Sequence, residues 1–192
     1  MNIVFPEGGF ATAPLRATGS GKGATVNAGV KFKLDVKSLA PGDTIYKIVE
    51  SAGTLTLTDA TLAALKANAE ITTKTGTKAV LVKDGNALGV KVTNLGLTLT
   101  LDPNEVDCNG SSQKDVFKKI VTDSDGNVVA GATFEYRIKG GEWASDLTES
   151  EWSNPGVIHV RATVEGYANR PTATFTIKSR GLILFFGPAP AE

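Results

Sequence analysis

One stretch of the sequence decides the fold class: Ile158-His159-Val160-Arg161-Ala162-Thr163-Val164. Its apolar and polar residues alternate, which is the period of two that a strand with one buried face requires. The same alternation occurs in residues 134–138 and in residues 173–177. Turn residues separate these strands and no helical pattern lies between them. Residues 113–179 therefore predict a β-sandwich.

The preceding region, residues 26–105, repeats this period in shorter runs. Val30, Phe32, Leu34 and Val36 alternate with polar residues, and residues 95–101 alternate leucine with glycine and threonine. A second pattern begins after Thr58 and Asp59, which are typical helix-cap residues, because Leu62 and Leu65 follow at helical spacing. The sequence thus predicts an all-β chain, with a β-rich N-terminal domain that holds one short helix and a sandwich after it.

The segments outside these two domains differ in composition. Residues 1–25 are rich in Gly, Ala, Thr and Ser, which predicts an extended arm that orders against a partner or against its own domain. Residues 106–112 predict a polar linker. Residues 180–192 predict a C-terminal tail with one apolar run.

The apolar run of the tail consists of Leu182, Ile183, Leu184, Phe185 and Phe186. Gly187 and Pro188 follow it and disfavour a helix. Such a run can extend its own sheet or add to the sheet edge of a neighbour. Left exposed, it would promote aggregation. We favour burial in an interface, so these five residues are the predicted interface residues.

The composition argues against several classes of function. The chain has 192 residues, 20 basic and 20 acidic side chains, one Cys and one His. A zero formal charge argues against nucleic-acid binding. The single His and single Cys argue against a zinc site, a disulfide framework and a Ser-His-Asp system. We expect no cofactor, no metal site and no membrane anchor, since no apolar run approaches the length that spans a bilayer.

Two short motifs resemble ligand-binding loops but depart from them. Residues 19–23 contain Gly-Lys, yet Gly23 stands where a phosphate-binding loop needs Ser or Thr. Asp123, Asp125 and Asn127 offer oxygen atoms at alternating positions, yet the Glu of a calcium loop does not follow. We interpret the first motif as a flexible arm and the second as a hairpin turn, with a weak cation site as the alternative for the second.

An acidic and aromatic segment offers one further candidate site. Trp143 and Trp152 lie among four carboxylates: Glu142, Asp146, Glu149 and Glu151. Paired carboxylates beside an aromatic ring are typical of glycosidases. The sequence fixes no second acid at a defined separation, so we expect a loop with one core Trp, or a weak glycan contact through Trp143 or Trp152.

The remaining reactive side chains lack partners in the sequence. We interpret His159 as a solvated or salt-bridged residue and Cys108 as an inert free thiol. No base, nucleophile and orienting group can be named together. We therefore nominate no catalytic residue and expect a chain that is not an enzyme.

A family resemblance comes from residues 120–129, IVTDSDGNVV, with residues 132–136, and from residues 154–167, NPGVIHVRATVEGY. These stretches look like the turns and strands of bacterial immunoglobulin-like domains. Such modules occur on bacterial cell surfaces and on tailed-phage virions, as head decoration, head fibre or tail components. The first twenty residues show no export signal, which favours a virion protein assembled in the host cytoplasm.

The resemblance implies a structural role. We expect a protein that docks on copies of itself, on the major capsid protein or on other virion proteins, through its N-terminal arm and its C-terminal tail. The alternative is a carbohydrate-binding or adhesion module that uses an exposed Trp.

Overall fold

A computed structural model describes residues 1–19 and 21–180, and the fold is all-β with two short helices. The strands are β1 Asn2–Val4, β2 Leu15–Ala17, β3 Ala24–Thr25, β4 Lys33–Asp35, β5 Ile45–Ser51, β6 Leu55–Thr56, β7 Glu70–Thr72, β8 Thr77–Asp84, β9 Ala87–Asn94, β10 Leu97–Asp102, β11 Glu105–Asp107, β12 Lys118–Asp123, β13 Thr133–Ile138, β14 Gly156–Thr163 and β15 Thr172–Lys178. The helices are α1 Asp59–Asn68 and α2 Glu149–Ser153. The chain divides into two compact units, the first holding Met1–Gly96 with Glu165–Ala168 and the second Leu97–Val164 with residues 169–180.

The first unit contains three small sheets. One has three parallel strands in the order β1-β4-β7, and one has four strands in the order β2-β5-β9-β8. A two-stranded parallel ribbon joins β3 to β6. The β8–β9 hairpin pairs Asp84 with Ala87, so Gly85 and Asn86 form a tight turn, and Gly85 has the positive φ that such a turn needs.

Alternating burial in the first unit confirms the predicted period of two. Phe32, Leu34 and Val36 are buried in one core, whereas Lys33 between them is exposed. The strand itself is shorter than the apolar pattern, because only Lys33–Asp35 pair with both neighbouring strands.

The predicted helix of the first unit is confirmed as α1. The side chain of Thr58 accepts a hydrogen bond from the backbone N–H of Thr61, which is the N-cap that the sequence indicated. Leu65 is the buried residue of the helix. Buried Leu65 and half-buried Leu62, which packs against the same core, anchor this helix.

Residues 1–25 do not form a free arm. β1 and β2 pair with β4 and β5 of the first unit, and β3 pairs with β6. Ile3, Phe5 and Ala13 are buried. Of the two possibilities that the sequence left open, these residues order against their own domain, because strand pairing and buried apolar side chains hold them there.

The second unit contains two sheets. β10 and β12 form an antiparallel pair, and the other sheet has the order β11-β15-β14-β13. β10 pairs with β12 along its whole length, from Leu97 opposite Asp123 to Asp102 opposite Lys118. This ladder explains why the compact units divide after Gly96, earlier than the domain end near residue 105 that the sequence indicated.

The linker predicted at residues 106–112 is partly structured. β11 overlaps it and pairs in parallel with β15, with Val106 opposite Ile177. Gln113, directly after it, is buried and donates its side-chain amide to the backbone oxygen of Ser111 at 2.7 Å.

The core of the second unit contains side chains from both sheets. Val121 of β12, Tyr136 of β13, Val160 of β14 and Phe175 of β15 are all buried. The ring of Phe117, one residue before β12, stacks on Phe175 with a centroid distance of 4.2 Å. Lys119 of β12 reaches the same core and donates a hydrogen bond to the Tyr136 hydroxyl at 2.9 Å.

The helices of the described residues include none long and apolar enough to span a membrane.

We predict that Phe5→Ala destabilises the protein by about 3–5 kcal/mol, because Phe5 is 2% exposed and its removal leaves a cavity. Val4→Ala is the control, since Val4 lies in the same N-terminal segment and is 66% exposed. Urea unfolding of both variants gives the comparison. An equal and small effect of the two substitutions would mean that the N-terminal residues are a free arm after all.

Candidate functional site

Trp143 lies on the outer face of the β11-β15-β14-β13 sheet of the second unit. The backbone of Ala144 exchanges two hydrogen bonds with Tyr136 of β13, at 2.7 and 2.9 Å, so residues 143–144 run beside that strand. Two guanidinium groups contact the indole ring, Arg137 at 4.5 Å and Arg161 at 4.3 Å from its centroid. The half-buried indole is therefore a partner of two cations from its own sheet.

The two arginines differ in their other contacts. Arg161 donates from Nε and Nη2 to the same oxygen of Glu135, at 3.0 and 2.8 Å. The Nε atom of Arg137 is buried and has no hydrogen-bond partner among the described residues. His159 of β14, which the sequence placed beside Arg161 on the polar face, lies opposite Arg137 of β13 and opposite Thr174 of β15.

Trp152 lies in the core and has no exposed stacking face. It is 1% exposed, and its ring contacts Phe117 and Tyr136 with centroid distances of 6.1 and 5.2 Å. Its Nε1–H donates to Asp146 at 3.0 Å. Trp152 is the core Trp that we expected in this segment. Because its ring is buried, Trp152 cannot serve as the exposed glycan contact that the sequence also allowed.

The segment around Trp152 is helical, whereas we expected a loop from the sequence. Thr148 and Glu151 form a capping box: the Glu151 carboxylate accepts from the Thr148 backbone at 2.7 Å, and the Thr148 hydroxyl accepts from the Glu151 backbone at 3.3 Å. Thr-x-x-Glu is a recognised signal for a helix start and was present in the sequence. The resulting α2 turns Trp152 into the core.

Two of the four carboxylates have hydrogen-bond partners that stabilise their charged form. Lys114 donates to Asp146, and this hydrogen bond, aided by the one from Trp152, lowers the pKa of Asp146 below its ordinary value. Hydrogen bonds from the Thr148 side chain and backbone lower the pKa of Glu151. Both groups are thus stabilised as anions, whereas a glycosidase acid needs a raised pKa. Glu149 lies in the first turn of α2, and Glu142 is exposed.

The turn after β12 uses its carboxylate internally. Asp123 accepts hydrogen bonds from the backbone N–H groups of Asp125 and Asn127, both at 2.9 Å. The Asn127 backbone is the main cause of a lowered pKa at Asp123. This is the predicted hairpin turn. Across the described residues, no group of three or more His, Cys, Asp and Glu side chains has a metal-binding arrangement.

The other sequence candidates have local roles. The Cys108 thiol donates to the backbone oxygen of Ser153 at 3.2 Å. Residues 24–25, after the Gly-Lys motif, form β3, so a strand stands where a phosphate-binding loop needs a helix. Ser20, inside that motif, lies outside the described residues.

An apolar depression lies at one end of the β11-β15-β14-β13 sheet. We name it the end groove. It has a volume of about 300 Å³ and is lined by residues 138–139, by residues 150–151 of α2 and by residues 154–158. Ile138 and Val157 within it are 39% and 40% exposed. No local sequence pattern indicates this site, because Ile138 belongs to an alternating series that the pattern alone places in the core.

The end groove adjoins the place where the last strand ends. Gly156 and Val157 of β14 both line the groove. They pair with Ile177 and Thr176 of β15. β15 ends at Lys178. The predicted interface residues, Leu182, Ile183, Leu184, Phe185 and Phe186, follow shortly after and lie outside the described residues.

No protein-family model matches the sequence, and a search among curated proteins finds no match.

We predict that Asp146→Asn lowers stability near pH 7 and that this loss becomes smaller in acid. A carboxylate with a lowered pKa stabilises the fold above its ordinary pKa of about 4, and this contribution is lost as the pH falls through the folded-state pKa. Urea midpoints at pH 7 and at pH 3 give the test. Asp84→Asn, at an exposed carboxylate of the first unit, is the control. A loss of equal size at both pH values would contradict the interpretation.

Proposed function

We propose that this protein is a non-enzymatic structural component of a phage virion, a head decoration or fibre protein that attaches to neighbouring subunits. The observation that carries the proposal is the apolar run of residues 182–186, which begins four residues after Lys178, the last residue of the closing strand. Burial of its Leu, Ile and Phe side chains would contribute on the order of 6 to 10 kcal/mol before entropy costs.

The strand order of the second unit supports an immunoglobulin-like assignment. β13, β14 and β15 are neighbours in one sheet, which matches the C-F-G order of immunoglobulin-like sandwiches, and β10 pairs with β12 as strands A and B do in the facing sheet. Trp152 supplies a buried Trp between these sheets, which is common in such domains. The module is therefore suited to serve as a rigid, projecting element.

The attachment that we propose uses the tail and omits the N-terminal arm. Residues 1–25 contribute three strands and several core side chains to the first unit, so they are not available for docking as an extended segment. The partners that we propose are copies of this chain, the major capsid protein or other virion proteins.

The second candidate function is a carbohydrate-binding or adhesion module. Its support is the outer sheet face, where half-buried Trp143 leaves part of its indole ring open to solvent. Arg137 and Arg161 already contact the indole, so a sugar ring has to share that ring with them or displace one.

We predict that the 192-residue chain self-associates with increasing concentration and co-sediments with particles of the phage that encodes it. Deletion of residues 181–192 abolishes both, because the apolar run supplies most of the buried area. Sedimentation velocity measures the mass, and thermal unfolding checks that the truncated protein keeps its fold. A full-length protein that stays monomeric at every concentration and does not bind particles would contradict the proposal.

If the glycan-binding alternative is correct, Trp143→Ala removes binding on a glycan array while thermal unfolding shows a retained fold. Val128→Ala, at an apolar residue that is 74% exposed in the same unit, is the matched control and leaves binding unchanged. Absence of any bound glycan for the unmodified protein would exclude the alternative.

A further inference from the structure

We propose that the end groove is the receptor for residues 182–186 of a second copy of this chain, so that two copies exchange their tails. This inference rests on the proposed function and names its partner. The groove and the apolar run together form one self-complementary contact, in which each chain both gives a segment and receives one.

The chemistry of the groove fits an apolar occupant. Ile138 and Val157 offer two exposed aliphatic side chains, and Pro155 lies beside them. Lys139 and Glu151 supply one charge of each sign to the lining, so the groove has no net charge to attract an ionic ligand. Its volume of about 300 Å³ is at the lower limit of ligand pockets, which suits one or two large side chains of the run.

The position of the last strand brings the run close to this groove. Gly156 and Val157 pair with Ile177 and Thr176, so the chain leaves its sheet next to the lining residues. Leu182 follows Lys178 by four residues, which extend at most about 14 Å. Adjacent strands lie about 4.8 Å apart, so the β13 side of the groove, two strands from β15, is within reach.

The short connection favours exchange over docking in the same chain. Residues 179–181 are the only ones between β15 and the run, and for a contact within one chain they have to reverse direction and cross β14 as well. When two copies meet at this end of the sheet, each run continues forward onto the groove of the partner without that reversal. Exchange of an identical element is a low-cost route to a symmetric dimer.

The test uses disulfide formation between separate chains. All variants carry Cys108→Ser, which removes the single native thiol. One chain carries Val157→Cys and the other carries Phe185→Cys. We expect a covalent dimer as the main oxidised product when the two chains are mixed, since an occupied groove holds the two sulfurs within bonding range. Val128→Cys mixed with Phe185→Cys is the matched control and gives no such product.

The outcomes separate this inference from the proposed function. A single chain that carries both Val157→Cys and Phe185→Cys and closes its disulfide as a monomer would show docking within one chain and overturn the exchange. Self-association of the unmodified protein without a Val157–Phe185 crosslink would overturn the groove as receptor and leave the proposed function standing. A monomeric unmodified protein that still binds particles would overturn the exchange alone, and a monomer that binds no particles would remove the proposed function itself.

A second variant keeps the inference testable if the cysteine chains misfold. Val157→Glu places a charge in the groove at an exposed position and should raise the dissociation constant for self-association by about tenfold or more. Val128→Glu, outside the end groove, should leave it unchanged. Equal dissociation constants for the two variants would contradict the inference.

Discussion

The packing of Trp152 determines the arrangement of the second unit around the end groove. Its ring fills the core against Phe117 and Tyr136, and its Nε1–H is fixed by Asp146, which Lys114 holds in place. Because Trp152 belongs to α2, its burial fixes the helix against the sheet. α2 in turn forms one wall of the end groove. One buried side chain thus connects the core to the surface that we propose for assembly.

Sequence patterns predicted the elements that depend on local periodicity and capping. Alternation predicted β14, and the Thr58 cap predicted α1, because burial on one face and satisfaction of free N–H groups are short-range requirements. The N-terminal strands were not predicted. β1 contains only three residues, too few to show a period, and it is stabilised by pairing with β4 about thirty residues away.

The candidate site was predictable only in part. The sequence identified Trp143 and Trp152 but could not distinguish them, since the difference arises from α2, which turns one indole into the core, and from the pairing of Ala144 with Tyr136, which leaves the other outside. The end groove had no local signal. It forms where β13 ends beside the start of β14, and only the strand register, which pairs Ile138 with Ile158, brings Ile138 to the groove residues of β14.

Nuclear Overhauser effects in a sample that mixes two forms of the protein distinguish tail exchange from docking within one chain. One form carries isotope-labelled methyl groups on Ile138 and Val157, and the other is unlabelled. Tail exchange predicts contacts between these labelled methyl protons and the aromatic protons of Phe185 and Phe186 from unlabelled chains. Methyl groups that contact only aromatic rings of their own chain, or no tail ring at all, would contradict it.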